Sequence, residues 1–270
     1  MEFKGTRTVI TGGANGIGRA LAFEITRRGG KVVLLDLNPQ ALKAAGEQLS
    51  CPWYVCDVTE EAHLTSCVLE IQQEHGPIDM WISGAGVLSP DPTHAASANN
   101  DMWTRAWDVH VMAHVYAARC LLPTMLDRGR GYLVNIASAA GLLCQIGDAA
   151  YSATKHAAVS FAQSLAISHG DQGISVSVVC PQYVSTPLLG YDNDHVSDET
   201  GLLSSKDAAI LICDGLEQQD FLILTHPEVA DYTQFKAQNP EKWIKGMQRL
   251  RDKQYDEDGI LKIGQLHRLV

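Results

Sequence analysis

Residues 8–28 read TVITGGANGIGRALAFEITRR. The run from Thr8 to Thr11 is short, apolar and rich in β-branched side chains, which predicts a strand. A glycine-rich turn follows at Thr11-Gly12-Gly13-Ala14-Asn15-Gly16-Ile17-Gly18, and Arg19 to Arg28 reads as a helix. Glycines let a backbone turn tightly and approach a phosphate closely. A helix N-terminus adds free N–H groups and a partial positive charge. Strand, glycine turn and helix in that order predict a dinucleotide phosphate cradle, with Gly12, Asn15, Gly16, Ile17 and Gly18 as its contacts. A glycine motif alone is a weak signal; the strand and helix on either side give this one its weight.

Working outward, Lys31 to Leu35 is a second apolar run, and it ends in Asp36. Asp36 lies about 20 residues beyond the glycine turn, where a carboxylate accepts hydrogen bonds from an adenosine ribose and repels a 2′-phosphate. The next residue is Leu37 rather than a base, and the glycine turn holds no Lys or Arg. Both facts favour NAD over NADP.

Further strands are expected at Trp53–Cys56, Ile78–Ser83, Val134–Ala137, Ile174–Cys180 and Phe221–Thr225. Helices are expected at Ala41–Leu49, Glu60–His75, Asn100–Asp127, Tyr151–His169 and Ser205–Leu216, and mostly over Pro227–Arg251. Strands that alternate with helices predict an α/β fold, a parallel sheet covered on both faces. The segment LLGYDNDHVSDETGLLSS after Pro187 has no periodicity and many turn formers. It is expected to act as a substrate lid over about residues 187–205, with a helical extension over about 227–255.

A second stretch, GYLVNIASAAGLLCQIGDAAYSATK at 131–155, carries the chemistry. Tyr151 and Lys155 are one turn apart on a predicted helix and so share a face. A phenol near pKa 10 is a poor base. An ammonium within about 4–6 Å is expected to lower that value. Ser138, at the end of the preceding strand, can hydrogen-bond the same substrate oxygen. The three form a proton-handling set for an alcohol or carbonyl. Gln145 and Tyr183 are candidates for the substrate pocket wall, backed by Cys144, Leu188 and Leu189.

Composition sets outer bounds. The chain has 270 residues, 46% hydrophobic and 19% charged, with a formal net charge of −10. An acidic balance argues against nucleic acid or an anionic membrane surface as partner. The N-terminus lacks a signal-peptide pattern, and no apolar run is long enough to span a bilayer. Seven cysteines, an odd number with no CxxC pair, are expected to be free thiols in a reducing, cytoplasmic setting, and no metal site is expected.

In this order, the pieces resemble the short-chain dehydrogenase/reductase family over about residues 5–225. The motifs are TGGANGIG at 11–18, Asp36, Asp57-Val58, Gly84-Ala85-Gly86, Ser138, and Tyr151 with Lys155. The resemblance implies one domain over 1–270, a Rossmann-type doubly wound parallel sheet of about seven strands in a three-layer α/β/α sandwich. It implies adenine contacts from Asp57 and Val58, and cofactor contacts from Gly84, Ala85, Gly86, Pro181, Val184 and Thr186. Tyr151 would be the acid/base, Ser138 its partner, and Lys155 also a ligand of the nicotinamide ribose. The activity implied is NAD-dependent interconversion of a secondary alcohol and its ketone, by a homodimer or homotetramer built on the long helices. An NADP-dependent carbonyl reductase and a non-catalytic dinucleotide-binding regulator are the alternatives.

Four departures stand out. Ser83-Gly84-Ala85-Gly86 stands where the family usually has Asn-Asn-Ala-Gly, and Gln182 replaces a Gly after Pro181. The family's C-terminal ending gives way to FLILTHPEVADY at 221–232 and a longer helix. His110 stands where the family's long helix carries a catalytic Asn that holds a relay water. His110 is then either a member of that relay, adding a pH dependence, or a packed histidine.

Overall fold

The structure, a computed structural model, describes residues 2–91, 93–195 and 201–253. Strands and helices alternate from the start: β1 (Arg7–Thr11), α1 (Gly16–Arg27), β2 (Lys31–Asp36), α2 (Pro39–Leu49), β3 (Trp53–Val55), α3 (Glu61–His75) and β4 (Met80–Ser83). Then come α4 (Asn100–Trp107), a π-helical turn (Asp108–Met112) and α5 (Ala113–Asp127). β5 (Gly131–Ile136), a short 3₁₀ turn (Ala139–Gly141), α6 (Ala149–His169) and β6 (Ile174–Val179) follow. The described chain closes with β7 (Tyr183–Ser185), β8 (Leu202–Ser204), α7 (Ser205–Gln218), β9 (Leu222–Ile223), α8 (Glu228–Gln238) and α9 (Pro240–Asp252).

Seven strands form one parallel sheet in the order β3-β2-β1-β4-β5-β6-β9. This is the doubly wound Rossmann-type order. Successive side chains on a strand point to opposite faces. Val9, Val33, Leu35, Trp81 and Leu133 therefore pack on one side, against Leu64 and Ile71 of α3, Leu121 of α5 and Ala162 of α6. Ile10, Val32, Leu34, Ile82 and Val134 pack on the other, against Leu21 of α1, Leu42 of α2 and Ile212 of α7. Two buried faces explain why the strands read as continuous apolar runs rather than as alternation. Each fully buried aliphatic side chain contributes about 1.5–3 kcal/mol, so the three-layer α/β/α arrangement is held mainly by these two slabs.

The winding reverses between β1 and β4. The chain runs outward from β1 in one direction and from β4 in the other, which leaves a crevice beyond their C-terminal ends. Thr11 and Ser83 are register partners there, as are Ser83 and Asn135, and then Ile136 and Val179. All loops that carry predicted site residues leave the sheet at this edge.

Several elements differ from expectation. The helix expected over Asn100–Asp127 is interrupted by the π turn, with the buried His110 at its centre. The expected strand from Ile78 starts at Met80. The single helix expected from Pro227 is two, because Pro240 has no N–H to donate and pushes Asn239 out of the helical region, to φ −138 and ψ 59. The expected lid is partly ordered. Pro187–Leu189 is a 3₁₀ turn, and Leu202–Ser204 pairs in parallel with Tyr183–Ser185 as a separate ribbon. Residues 196–200 of the lid and 254–255 of the extension lie outside the described residues.

All seven cysteines are unpaired. Among the described residues no helix is long and apolar enough to cross a membrane, and no cluster of His, Cys, Asp or Glu is placed to hold a metal ion.

Candidate active site

The glycine turn after β1 is built by close backbone approach. A Cβ on Gly18 would lie 2.2 Å from the Gly12 carbonyl oxygen, and one on Gly12 would lie 2.8 Å from that of Gly84. The turns after β1 and β4 thus touch main chain to main chain. Gly16 adopts φ +53 at the start of α1, a conformation L side chains rarely take. Its N–H donates to the side-chain oxygen of Asn193 at 2.6 Å, and the Asn193 amide donates to Asn15 Oδ1 at 2.9 Å. Arg19 pairs with Asp194 at 3.1 Å. A lid residue therefore supplies, at the N-terminus of α1, the kind of oxygen a phosphate would supply.

Asp36 ends β2 with its carboxylate turned back to the glycine turn. Its oxygens accept the Ala14 N–H at 3.1 Å and the Asn38 N–H at 3.0 Å. Leu37 beside it is largely exposed. Asp57, after β3, accepts the N–H and the hydroxyl of Thr59.

Ser138, Tyr151 and Lys155 meet beyond β5. Ser138 has extended backbone, and its Oγ accepts the Ala140 N–H at 3.1 Å. Tyr151 is fixed by the cap of α6: the buried Asp148 accepts the Tyr151 N–H at 2.9 Å and the Ser89 N–H at 2.7 Å. Lys155 is buried, and its Nζ donates to the Ile136 carbonyl at 3.0 Å and lies 5.5 Å from the Tyr151 ring centre. Burial pushes the Tyr151 phenol up to about 12, and the Ser138 hydroxyl bonded to it pulls weakly the other way. Burial also brings the Lys155 ammonium down to about 8. The Tyr151 phenol is therefore raised rather than lowered as the approach of Lys155 alone predicts. Desolvation is the leading cause for both groups and disfavours each charged form.

His110 lies across this group, its ring edge-on to that of Tyr151 at 5.3 Å. The Val87 N–H donates to Nε2 at 3.1 Å, so that nitrogen carries no proton. Nδ1 then holds the hydrogen and donates to Thr154 Oγ1 at 2.8 Å, while the Thr154 hydroxyl donates to the Ala150 carbonyl at 2.8 Å. Burial, with the charge of Lys155 adding to it, holds the imidazole well below its ordinary range. Both nitrogens are taken and the ring stays neutral near pH 7. Of the two readings the sequence left open, this geometry favours the packed histidine. His110 braces the turn after β4 against the helix that carries Tyr151 and Lys155.

A cavity of about 460 Å³ at the sheet edge is lined by Gly12, Asn15, Gly16, Ile17, Gly18, Asp36, Gly84 and Gly86, then by Ser138, Gln145, Tyr151, Lys155, Pro181, Tyr183, Val184 and Thr186. Asp57, Val58, Ala85 and His110 stand outside its wall. Leu188 and Leu189 line it; Cys144 does not.

Sequence reasoning missed three residues. Asp148 carries a recoverable signal, an acid three places before Tyr151 at a helix start. Asn193 carries none, because its contact spans 177 positions. His114 is buried one turn beyond His110, neither ring nitrogen has a partner among the described residues, and burial with the Lys155 charge lowers it to about 3.

Comparisons with known proteins agree with this geometry. A sequence model described as short chain dehydrogenase matches residues 6–197. The uncharacterized oxidoreductase YxjF of Bacillus subtilis is 30% identical over 92% of this chain and 96% of its own. The 1-deoxy-11-beta-hydroxypentalenate dehydrogenase of Streptomyces avermitilis is 31% identical over 84% of this chain and 87% of its own. A short chain dehydrogenase/reductase from Burkholderia phymatum, solved in complex with NAD, superposes with a TM-score of 0.81 at 25% identity, over 90% of this chain and 96% of that one.

Proposed function

The chain belongs to the short-chain dehydrogenase family, and from that premise we propose that it is an NAD-dependent oxidoreductase interconverting a secondary alcohol and its ketone. The observation that carries this reading is one cavity that holds both the glycine cradle and the Ser138–Tyr151–Lys155 set.

The residues present fit a dinucleotide. Side-chain-free positions at Gly12, Gly18 and Gly84 bring backbone to the cavity, and the Gly16 N–H already takes an oxygen acceptor. Gly12, Asn15, Gly16, Ile17 and Gly18 would hold the pyrophosphate, and Asp36 the adenosine ribose. Asp57 and Val58 would border the adenine, with Gly84, Ala85 and Gly86 beneath. Tyr151 and Lys155 would hold the nicotinamide ribose, and Pro181, Val184 and Thr186 the carboxamide. A bound NAD would supply the hydride acceptor and a positive charge beside the phenol.

In the oxidative direction Tyr151 Oη takes the proton from the substrate hydroxyl. Ser138 Oγ donates to the same oxygen, an interaction worth about 2.7–4 kcal/mol for a well-placed donor in comparable sites. Lys155, anchored by the Ile136 carbonyl, keeps two N–H bonds for the ribose. Asp36 with no neighbouring base supports NAD over NADP, and the NAD complex of the Burkholderia phymatum protein supports it too. The reading includes one domain with a lid over about 187–205. It also includes a cytoplasmic setting, in keeping with unpaired thiols, and a homo-oligomer, in keeping with exposed Leu69, Trp107 and Ile167 on the helices.

The test is turnover on a panel of secondary alcohols and ketones with NAD and NADP. Oxidation of at least one alcohol with NAD supports the reading. Equal kcat/KM with both cofactors removes the role given to Asp36, and no turnover on any substrate leaves a dinucleotide-binding regulator.

A further inference from the structure

A second cavity of about 710 Å³ lies beside the first, between the loop after β5 and the C-terminal helices. Gln145, Gln182 and Tyr183 belong to both walls. Gln145 also hydrogen-bonds the Tyr183 hydroxyl, so this pair stands between the two spaces. A molecule with its carbinol at Tyr151 and its far end in the second cavity would run past that pair. The volume is in the range of sites for drug-sized ligands.

The far wall is α9. Trp243, Met247 and Leu250 recur at helical spacing and form one stripe, and all three line the cavity. Lys242, Lys245 and Arg249 form a second stripe at helical spacing, and they line it as well. None of these three has an ion-pair partner among the described residues, whereas Arg251 on the same helix pairs with Asp252. In a chain of net charge −10, this is a local reversal of sign at the mouth of an apolar space. Such a mouth concentrates anions.

Gly246 is a second, independent observation. It sits in the middle of α9 and lines the cavity, and a Cβ there would meet nothing within 4 Å. Glycine within a helix costs about 0.5–1 kcal/mol relative to alanine. No close approach among the described residues requires it here, unlike at Gly12 or Gly18. Its effect is to leave the wall open on the cavity side, between the two stripes.

We infer that the substrate is an amphiphilic carboxylate, whose apolar body lies along Trp243, Met247 and Leu250 and whose anionic end is held by Lys242, Lys245 and Arg249. The inference rests on the alcohol dehydrogenase reading of the adjoining site and names its substrate class. α8 holds this wall in place. Lys236 donates to the Leu142 and Leu143 carbonyls at 2.7 and 2.8 Å, and Trp243 packs near Tyr232, with ring centres 6.4 Å apart.

The test compares kcat/KM for three alcohols with NAD: a medium-chain fatty acid hydroxylated at its penultimate carbon, its methyl ester, and isopropanol. Calorimetry in parallel measures binding of laurate and of lauryl alcohol to the full chain. The acid is expected to exceed its ester by about tenfold, the sum of three partly exposed charge contacts, and Lys242→Gln/Lys245→Gln/Arg249→Gln is expected to erase that ratio. Gly246→Leu, which fills open space and improves helix propensity, is expected to lower the acid-to-isopropanol ratio at least tenfold without lowering the melting temperature. Turnover of isopropanol with no preference for acid over ester, and no effect of either variant on these ratios, overturns the inference and leaves the alcohol dehydrogenase reading standing. Laurate binding that is lost in the triple variant, without turnover of any alcohol, supports the pocket and overturns the reading of the adjoining site.

Discussion

Replacing His110 separates bracing from proton relay. In His110→Ala the part-buried Val87 N–H loses its acceptor, which costs up to about 1–3 kcal/mol. The missing imidazole adds a cavity term of similar size. Thr154 keeps its bond to the Ala150 carbonyl, so it adds little. The sum is on the order of 3–5 kcal/mol, and for a chain of this length each kcal/mol moves the melting temperature by about 2–4 °C. Calorimetry should therefore show a fall of roughly 6–20 °C. His110→Asn, with a shorter amide that can meet only part of the network, should fall between that variant and the wild type. The pH–rate profile should keep the same acid limb in wild type and in His110→Asn, because burial and Lys155 hold this imidazole neutral. A melting temperature unchanged in His110→Ala, together with an ionisation near pH 6.5 that vanishes in His110→Asn, would refute the brace and restore the relay.

Other expectations follow from the same geometry. Asp36→Ala/Leu37→Arg should move cofactor preference toward NADP, read as the ratio of kcat/KM values, because it removes a repulsive carboxylate and adds a phosphate partner. Asn193→Asp should weaken NAD binding severalfold in a titration, since it places a carboxylate where Asn193 now meets the Gly16 N–H; unchanged affinity would mean the pyrophosphate lies elsewhere. His114 has a folded pKa of about 3 against an ordinary 6.5. The unfolded chain then binds its proton first, so stability is complete above about pH 6.5 and falls as the pH drops toward 3, by about 2 kcal/mol near pH 5. Denaturant unfolding of His114→Leu should show a shallower acid-side loss, and an equal slope would mean His114 is not buried neutral.

Much of this site is legible in the sequence because its parts are local. The glycine turn lies within a few residues of its strand and helix. Tyr151 and Lys155 share one helical face, and Asp36 sits at a strand tip that apolar composition marks. The rest depends on contacts across the fold. Asn193 reaches Gly16 only because the segment after β7 returns over α1. The β7–β8 ribbon joins two short runs separated by a stretch rich in turn formers, too short to read as strands alone. The π turn shows no pattern, since the extra residue per turn serves a buried imidazole rather than a change of periodicity. The raised phenol of Tyr151 is not legible, because spacing reveals the approach of Lys155 but not the burial of the site. The basic stripe of α9 is visible at helical spacing, yet only packing against the Leu143–Ile146 loop makes it a cavity wall.

The central claim is that Tyr151 moves the proton while the carbinol hydrogen leaves as hydride. The direct measurement uses a secondary alcohol, taken from the panel, that carries deuterium at the carbinol carbon, with mass analysis of the nicotinamide after reaction on wild type and on Tyr151→Phe, and NAD affinity measured on both. The account predicts deuterium on the nicotinamide with wild type, none above background with Tyr151→Phe, and NAD affinity lowered by no more than about tenfold, the loss of the one hydrogen bond Tyr151 gives the ribose. Transfer at a comparable rate in Tyr151→Phe, or loss of NAD binding with it, would contradict the role assigned to Tyr151.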